Sequence, residues 1–323
     1  MSRAARAGGF SPATMIAVVL VGVLSMAGLG LLAAFAPELK SGDDGREHAL
    51  SRSSVGFAAI RRLLEADGAR VLTSRGPLSE TAAESLQVIT PSVETPAARV
   101  ADVASESHRN LIVLPKWQAG LDPRHRGWVR TLGVHDLSAV TRPLPPKLVA
   151  GTLVARRKGA APVRLSRPNG TTFATLPAVE TLQTVSGPSW VPVLVDETGA
   201  AVLAMHKDSD IYVLADPDLL NTQGMKTLAG ASAAVRLLAL IRAEDTPVIF
   251  DLTLHGFARS RSLPRLLLEP PLLGVTLCLL GAALLAGVQA AVRFGPPRHR
   301  DRAVALGQRA LADNTAGLVR RPR

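Results

Sequence analysis

The sequence predicts an α/β domain built on an open mixed sheet and held between two membrane-spanning helices. Three observations predict it. Short continuous apolar runs alternate with helix-spaced segments through the middle of the chain, the pattern of buried strands and their covering helices. Three consecutive strand signals near residue 200, joined by tight turns, supply an antiparallel part. Two uncharged stretches, 12–36 and 270–292, bracket that middle; each is about 35 Å long as a helix and can cross a hydrocarbon core of about 30 Å.

The first stretch reads as a retained anchor. It outlasts the roughly 7–15 apolar residues of a secretory signal, and cleavage after Ala34-Phe35-Ala36 would leave Pro37 at the first mature position. Ser53 or Ser54 is positioned to cap a helix carrying Val55, Ala59, Ile60, Leu63 and Leu64 at helical spacing, closed by Gly68 at C′. A short strand at 70–73 follows. Asn110 then leads into Leu-Ile-Val-Leu, a run suited to a strand buried on both faces. Asp122-Pro123 reads as an N-cap followed by proline, opening a helix that Gly133 ends, with Trp128, Val129 and Leu132 on its inner face. From about 141 to 188, prolines and Asn169-Gly170 indicate short strands and loops inserted on the main sheet; Asn169-Gly170-Thr171 also matches a glycosylation acceptor. Segments 191–195, 200–205 and 211–215 read as strands. A helix from about 225 to 242, with Leu228, Val235, Leu238 and Ile241 on one face, leads to a last strand in Pro-Val-Ile-Phe-Asp-Leu-Thr-Leu. The domain plan is an N-terminal tail (1–11), a span (12–36), an exported domain (37–269), a second span (270–292), which is uncharged with no polar face, and a basic tail (293–323).

Arginine placement orients the chain. Arg3 and Arg6 precede the first span and eight arginines follow the second, which puts both termini in the cytoplasm and the middle outside by the positive-inside rule. Ten of the 37 basic residues and two of the 26 acidic ones sit in the tails, a net of +8 out of +11, leaving +3 for the middle. The exported domain is therefore no basic nucleic-acid surface, and the tail, lacking a recognition motif, suits anionic lipid. The one cysteine, Cys278, lies in the second span, so the domain has no disulfide, thiolate nucleophile or cysteine metal ligand.

Chemistry is expected at strand ends. Asp216, Asp218 and Asn221 directly follow a strand and could hold a cation or polar ligand, or simply cap the next turn. Asp251 and His255 end the last strand and could join them if the two strands are neighbours; otherwise His255 is a turn residue. His48, His108, His125, His135 and His206 show no paired metal spacing, and no metal or other cofactor is expected. No phosphate loop, dinucleotide fingerprint or Gly-x-Ser-x-Gly elbow is present. Trp117, Trp128 and Trp190 read as core or domain-edge packing.

Several segments together resemble the bacterial "domain of unknown function 4350" family: the helix at 53–71, Ile-Tyr-Val-Leu-Ala-Asp-Pro-Asp-Leu-Leu-Asn-Thr-Gln-Gly-Met at 211–225, the His255-Gly256 pair, Arg293-Phe294-Gly295-Pro296, and the closing 310–321 segment. The resemblance covers most of the chain from about residue 45. It implies a membrane-anchored protein whose soluble part has a flavodoxin-like, class I glutamine amidotransferase-like three-layer fold, and genes beside a MoxR-type AAA+ ATPase and partners with von Willebrand-type domains. No activity comes with it, and the absence of a domain cysteine excludes the amidotransferase reaction. The 31 residues after Val292 are shorter than the usual tail of the family.

The expectation is thus a two-pass protein of the bacterial inner membrane. Its exported domain is a non-catalytic binding or scaffolding module, and its partners are the bilayer and a AAA+ ATPase complex, with no nucleic acid. The alternative is a cation-dependent hydrolase using Asp216, Asp218 and His255.

Overall fold

The computed structural model describes residues 20–30, 32, 42–158, 162–259, 266–267, 272–294 and 308–319. The chain divides into two compact units, Ala34–Ser260 and a second made of Met1–Ala33 with Arg261–Arg323.

The larger unit is a mixed α/β domain around an eleven-stranded sheet. Its parallel half runs in the order β1 (Val71–Ser74), β13 (Val248–Asp251), β2 (Leu86–Ile89), β3 (Arg109–Val113), β12 (Ile211–Leu214). The antiparallel half continues through β11 (Ala201–His206), β10 (Trp190–Val195), β7 (Pro162–Ser166) and β8 (Thr172–Ala178), while β9 (Thr181–Ser186) pairs β11 and β6 (Leu153–Lys158). All four residues of β2 and of β13 are buried, including Gln87 and Asp251, the one polar residue in each, as befits strands covered on both sides. The two-residue period sorts their side chains. Val88, Leu111, Val113 and Leu214 share a core with α1 (Ala58–Ala66) and α5 (Leu228–Ile241). Ile89, Ile112, Leu114 and Val213 share the opposite core with α2 (Ala97–Ala104), α3 (Leu137–Val140) and α4 (Pro146–Val149).

Several expectations hold at residue level. Gly68 sits at C′ of α1 with φ 84°; its N–H donates to Glu65 O (3.2 Å) and that of Ala69 to Leu64 O (2.9 Å), the doubly bonded glycine stop that satisfies the last carbonyls. The β10–β11 turn is tied by Asp196 Oδ1, which accepts from Thr198 N (2.8 Å), Thr198 Oγ1 (2.6 Å) and Ala200 N (3.0 Å). The 141–188 segment does contribute strands to the main sheet: β6 to β9 all join it.

Others are corrected. Helix α1 starts at Ala58 with no side-chain cap, because 51–56 forms a turn in which a Cβ on Gly56 would lie 2.2 Å from Ser51 O. The helix expected from Asp122 to Gly133 is a two-stranded ribbon, β4 (Trp117–Leu121) and β5 (Val129–Val134). Asp122 Oδ1 accepts from Arg124 N (2.7 Å) inside the connecting turn, and Gly133 lies opposite Gln118 beside a register shift. Trp128 and Leu132 are exposed rather than inward; Trp117 and Trp190 are buried. On α5 the buried face is Gly230, Ala233, Ala234, Leu237, Leu238 and Ile241, and Leu228 is exposed.

In the smaller unit, residues 20–30 are helical, α6 spans Leu272–Phe294 and α7 spans Gln308–Val319. Among the described residues no helix is long and apolar enough to cross a membrane. The tail 1–11, most of 12–36, Gly295-Pro296 of the family motif and most of the tail arginines lie outside the described residues.

Candidate functional site

Five polar side chains stand at or just beyond the carboxyl ends of the five parallel strands: Ser74, Asp251, Thr90, Lys116 and Asp216, all buried. This is the edge at which open α/β sheets place their ligands.

Asp216 follows β12 and is wholly buried. It accepts from the Asp218 N–H (Oδ1, 3.0 Å), capping the 3₁₀ turn Pro217–Leu219, and from the Gln183 N–H (Oδ2, 2.8 Å). Because β3 lies parallel to β12 with Val113 beside Leu214, the chain leaving β3 delivers Lys116 to the same point. The Lys116 Nζ, with no exposed side-chain surface, donates to Asp216 Oδ2 (2.8 Å) and Oδ1 (3.0 Å), Asp218 Oδ2 (2.7 Å) and Thr181 O (2.5 Å). It also lies 5.0 Å from the Trp117 ring centroid. Asp218 Oδ1 accepts from Trp117 Nε1 and Asn221 Nδ2, both at 2.7 Å, and Asn221 Oδ1 accepts from Gly224 N (2.9 Å). Gly224 is required there: an added Cβ would lie 1.4 Å from Asp218 O.

The charges are unequal, since two carboxylates face one ammonium. Burial acts to lower the Lys116 pKa, and Asp216 and Asp218 more than reverse it, so the ammonium is held charged. Burial first, then the Asp218 charge, raises Asp216 to about 6 despite Lys116. Beside the cluster opens a cavity of about 280 Å³ reached by Trp117, Asp218, Lys226 and Thr227, the side-chain cap of α5.

The structure brings Asp216, Asp218 and Asn221 together and keeps Asp251 and His255 apart from them. The sheet order sets β2 and β3 between β13 and β12, so the strands are not neighbours and the joint cluster does not form. Asp251 instead ties its own turn, accepting from Thr253 N (3.1 Å), Thr253 Oγ1 (2.7 Å) and Leu254 N (3.2 Å); burial raises its pKa. The His255 Nε2 lies 3.1 Å from Thr90 Oγ1, and its ring packs 5.3 Å from that of His48, whose Nε2 meets Asp44 Oδ1 at 2.7 Å. Burial, reinforced by His48, pushes His255 down to about 3, so it is neutral. Gly256 follows with φ 77°, which makes the His-Gly pair a turn.

Glu47 belongs to no sequence pattern and was missed. It lines a cleft of about 510 Å³ between the 44–47 segment, the β4–β5 ribbon and His255. Burial first, then the Asp218 charge, pushes it up to about 8. Lys116 was missed too, although a lysine directly after an apolar strand run is a signal, since it must find a counter-charge if buried. Among the described residues no group of three His, Cys, Asp or Glu is arranged to hold a metal ion.

The family model described as "Domain of unknown function (DUF4350)" matches residues 49–238, more than half of the chain, and the chain belongs to that family. No curated protein matches it. Among solved structures it is similar to the exo-beta-1,4-mannosidase Op5Man5 from Opitutaceae bacterium strain TAV5, at 14% identity and a TM-score of 0.35, over 58% of this chain and 31% of that one. The chain thus spans under a third of that enzyme, and a likeness of this size carries no argument about activity.

Proposed function

We propose, from that family membership, that the protein is a membrane-anchored, non-catalytic binding or scaffolding module whose strand-end acidic cluster is structural. One observation carries the reading. The cation that Asp216 and Asp218 hold is the chain's own Lys116 ammonium, with Trp117, Asn221 and backbone N–H groups taking further lone pairs. A divalent cation at that point would have to displace a buried ammonium bonded to two carboxylates and a carbonyl. The hydrolase alternative also loses its third group, because His255 sits beyond β2 and β3.

Anchoring through 12–36 and 270–292, with both termini cytoplasmic, is supported by the uncharged stretches and the arginine asymmetry, and by the exposed Leu277, Leu279, Leu280, Leu284 and Leu285 on α6. The amidotransferase-like reading of the fold is supported by the parallel core with helices on both faces. Contact with a MoxR-type AAA+ ATPase rests on the family resemblance, with the cytoplasmic tail as the contacting part.

A thermal melt of the protein with millimolar Mg²⁺ or Ca²⁺ tests the central claim. No cation-dependent rise in Tm is expected, since only a ligand that binds the folded form stabilises it. A rise of several degrees, lost in Asp218→Asn, would bring the hydrolase reading forward. For the topology, alkaline phosphatase fused after Leu137 is expected to be active and after Arg309 inactive.

A further inference from the structure

We propose that the cleft of about 510 Å³ at Glu47 is a binding site for a small organic cation, an ammonium group carried on an apolar stem. The site adjoins the Lys116 cluster through Trp117 and gives the binding-module reading a ligand class. It lies where open α/β sheets place ligands. β2 leads into Ser92 and Glu94 of its wall, β3 into Trp117, and β13 into Leu254 and His255, so three neighbouring parallel strands end at it. Its volume falls within the range of small-molecule pockets.

Charge and surface together identify the ligand. Asp44 is already answered: it accepts from His48 Nε2 (2.7 Å) and from the Arg46 N–H (3.1 Å), and the Arg46 charge acts on it. His135 and His255 bring no charge at neutral pH, because burial lowers the pKa of each, to about 3 for His255. Glu47 and Glu94 remain. Among the described residues Glu47 takes no hydrogen bond or ion pair, and the one charge acting on it is that of Asp218, another acid. Glu94 is exposed at the rim. A carboxyl turned into a cleft with neither donor nor counter-ion costs the fold stability, and an ammonium supplies both at once. Around it stand Val55, Val129 and Leu254, with Leu121 65% and Leu132 72% exposed, apolar area that a stem would take from water. A bare metal ion would leave that area wet, and among the described residues it would find no group of three His, Cys, Asp or Glu to hold it. An anion would meet two acids.

Titration calorimetry of the full chain in nanodiscs of neutral lipid, with empty nanodiscs subtracted, tests this with n-butylammonium. Binding is expected for butylammonium and not for butyrate or K⁺, which share only its stem or only its charge. The charged groups facing the amine are Asp44, Arg46, Glu94 and, from the neighbouring cluster, Asp218, with His135 and His255 neutral. Glu47 holds its proton up to about pH 8, so the amine must displace it. About one proton should be released per amine bound at pH 7, read from the heats in two buffers, and affinity should rise about tenfold or more from pH 6.5 to 8.5. Glu47→Gln removes an unpaired acid and keeps the fold; it should abolish the proton release and most of the affinity. Glu94→Gln should weaken binding only a few-fold, and less so at high salt. Equal binding of butylammonium by wild type and Glu47→Gln, or equal binding of butyrate, would overturn the proposal. Nα-acetyl-lysine methylamide separates the two sources of such a group, binding more tightly than butylammonium if the ligand is a lysine of a peptide and less tightly if it is a free amine. These readouts are independent of the Mg²⁺ or Ca²⁺ melts with Asp218→Asn, so an empty cleft and a cation-binding strand-end cluster give different results.

Discussion

Two aspartates, Asp216 and Asp251, stand at the carboxyl ends of parallel strands, and both accept backbone N–H groups of the 3₁₀ turn that follows, Asp216 as its N-cap and Asp251 from one residue before the N-cap position, Leu252. Locally they are the same device. They differ in what the neighbouring strand brings. Beside Asp216, β3 delivers a lysine that also takes Asp218, and the carboxylate becomes part of a buried ionic cluster. Beside Asp251, among the described residues, no charge arrives at hydrogen-bonding distance, and its oxygens are spent on Thr253 and Leu254 of its own turn. The difference teaches that a strand-end acid acquires a role from its strand neighbour, not from its own motif.

The strongest way to break that comparison is Lys116→Met. Removing the ammonium leaves two carboxylates facing each other in the interior, at an expected cost of about 3–5 kcal/mol, read from urea unfolding of the 34–260 unit. A loss below about 1 kcal/mol would mean that Lys116 is not their counter-ion.

Asp218→Asn comes next. The amide can still accept one bond but presents an NH₂ group where Lys116 donates, so a cost of about 1–3 kcal/mol is expected. That exceeds what capping alone would predict from sequence. Asp251→Asn keeps an oxygen for its turn and should cost under about 1 kcal/mol. Equal costs at the two positions would erase the distinction.

The pH dependence sharpens the comparison further. Glu47 has a folded pKa of about 8 against an ordinary 4.5, so the fold binds the extra proton and loses stability as pH rises through that window. Asp216, at about 6 against 3.8, acts in the same direction at lower pH. Glu47→Gln should therefore raise Tm over wild type by an increment that grows from about pH 5 to pH 8. His255 has the opposite sign: held at about 3 against 6.5, it stays neutral in the fold and costs stability as pH falls below 6.5. His255→Gln should flatten the decline in Tm between pH 6.5 and 4 while leaving the Glu47 effect intact. If both variants shifted the same limb of the profile, the two ends of the cleft would be one coupled site.

The smallest effect concerns the ribbon. Trp128→Phe changes an exposed side chain and should change the unfolding free energy by no more than about 0.5 kcal/mol, read from urea unfolding.

Much of the parallel core was legible because its signals are local. Leu111 to Leu114 announces a strand covered on both faces, Gly68 stops α1, and the three strands from 190 to 214 follow from alternation and turn residues. The ribbon was misread for a physical reason. Asp-Pro followed by glycine serves a helix cap and a tight turn equally well, and residues 128 to 133 contain apolar side chains that point to solvent instead of marking a buried face. Helix α5 was found, but its buried stripe is made of Gly230, Ala233 and Ala234 as well as leucines, small residues that a search for large apolar positions passes over.

The sequence by itself determined the helices near 58–66 and 228–241, the strands at 111–114, 191–195, 200–205 and 211–215 and the last strand, and that Asp216 could cap a turn, because all of these depend on residues within a few positions of one another. Only the tertiary structure decided that β3 lies beside β12 and that β13 returns between β1 and β2. Crossover connections of dozens of residues set those neighbours, and no local period encodes them. That order put Lys116 against Asp216, kept His255 away, and brought Glu47 into the cleft, since a buried charge is answered by whichever group the chain's long-range path carries to it.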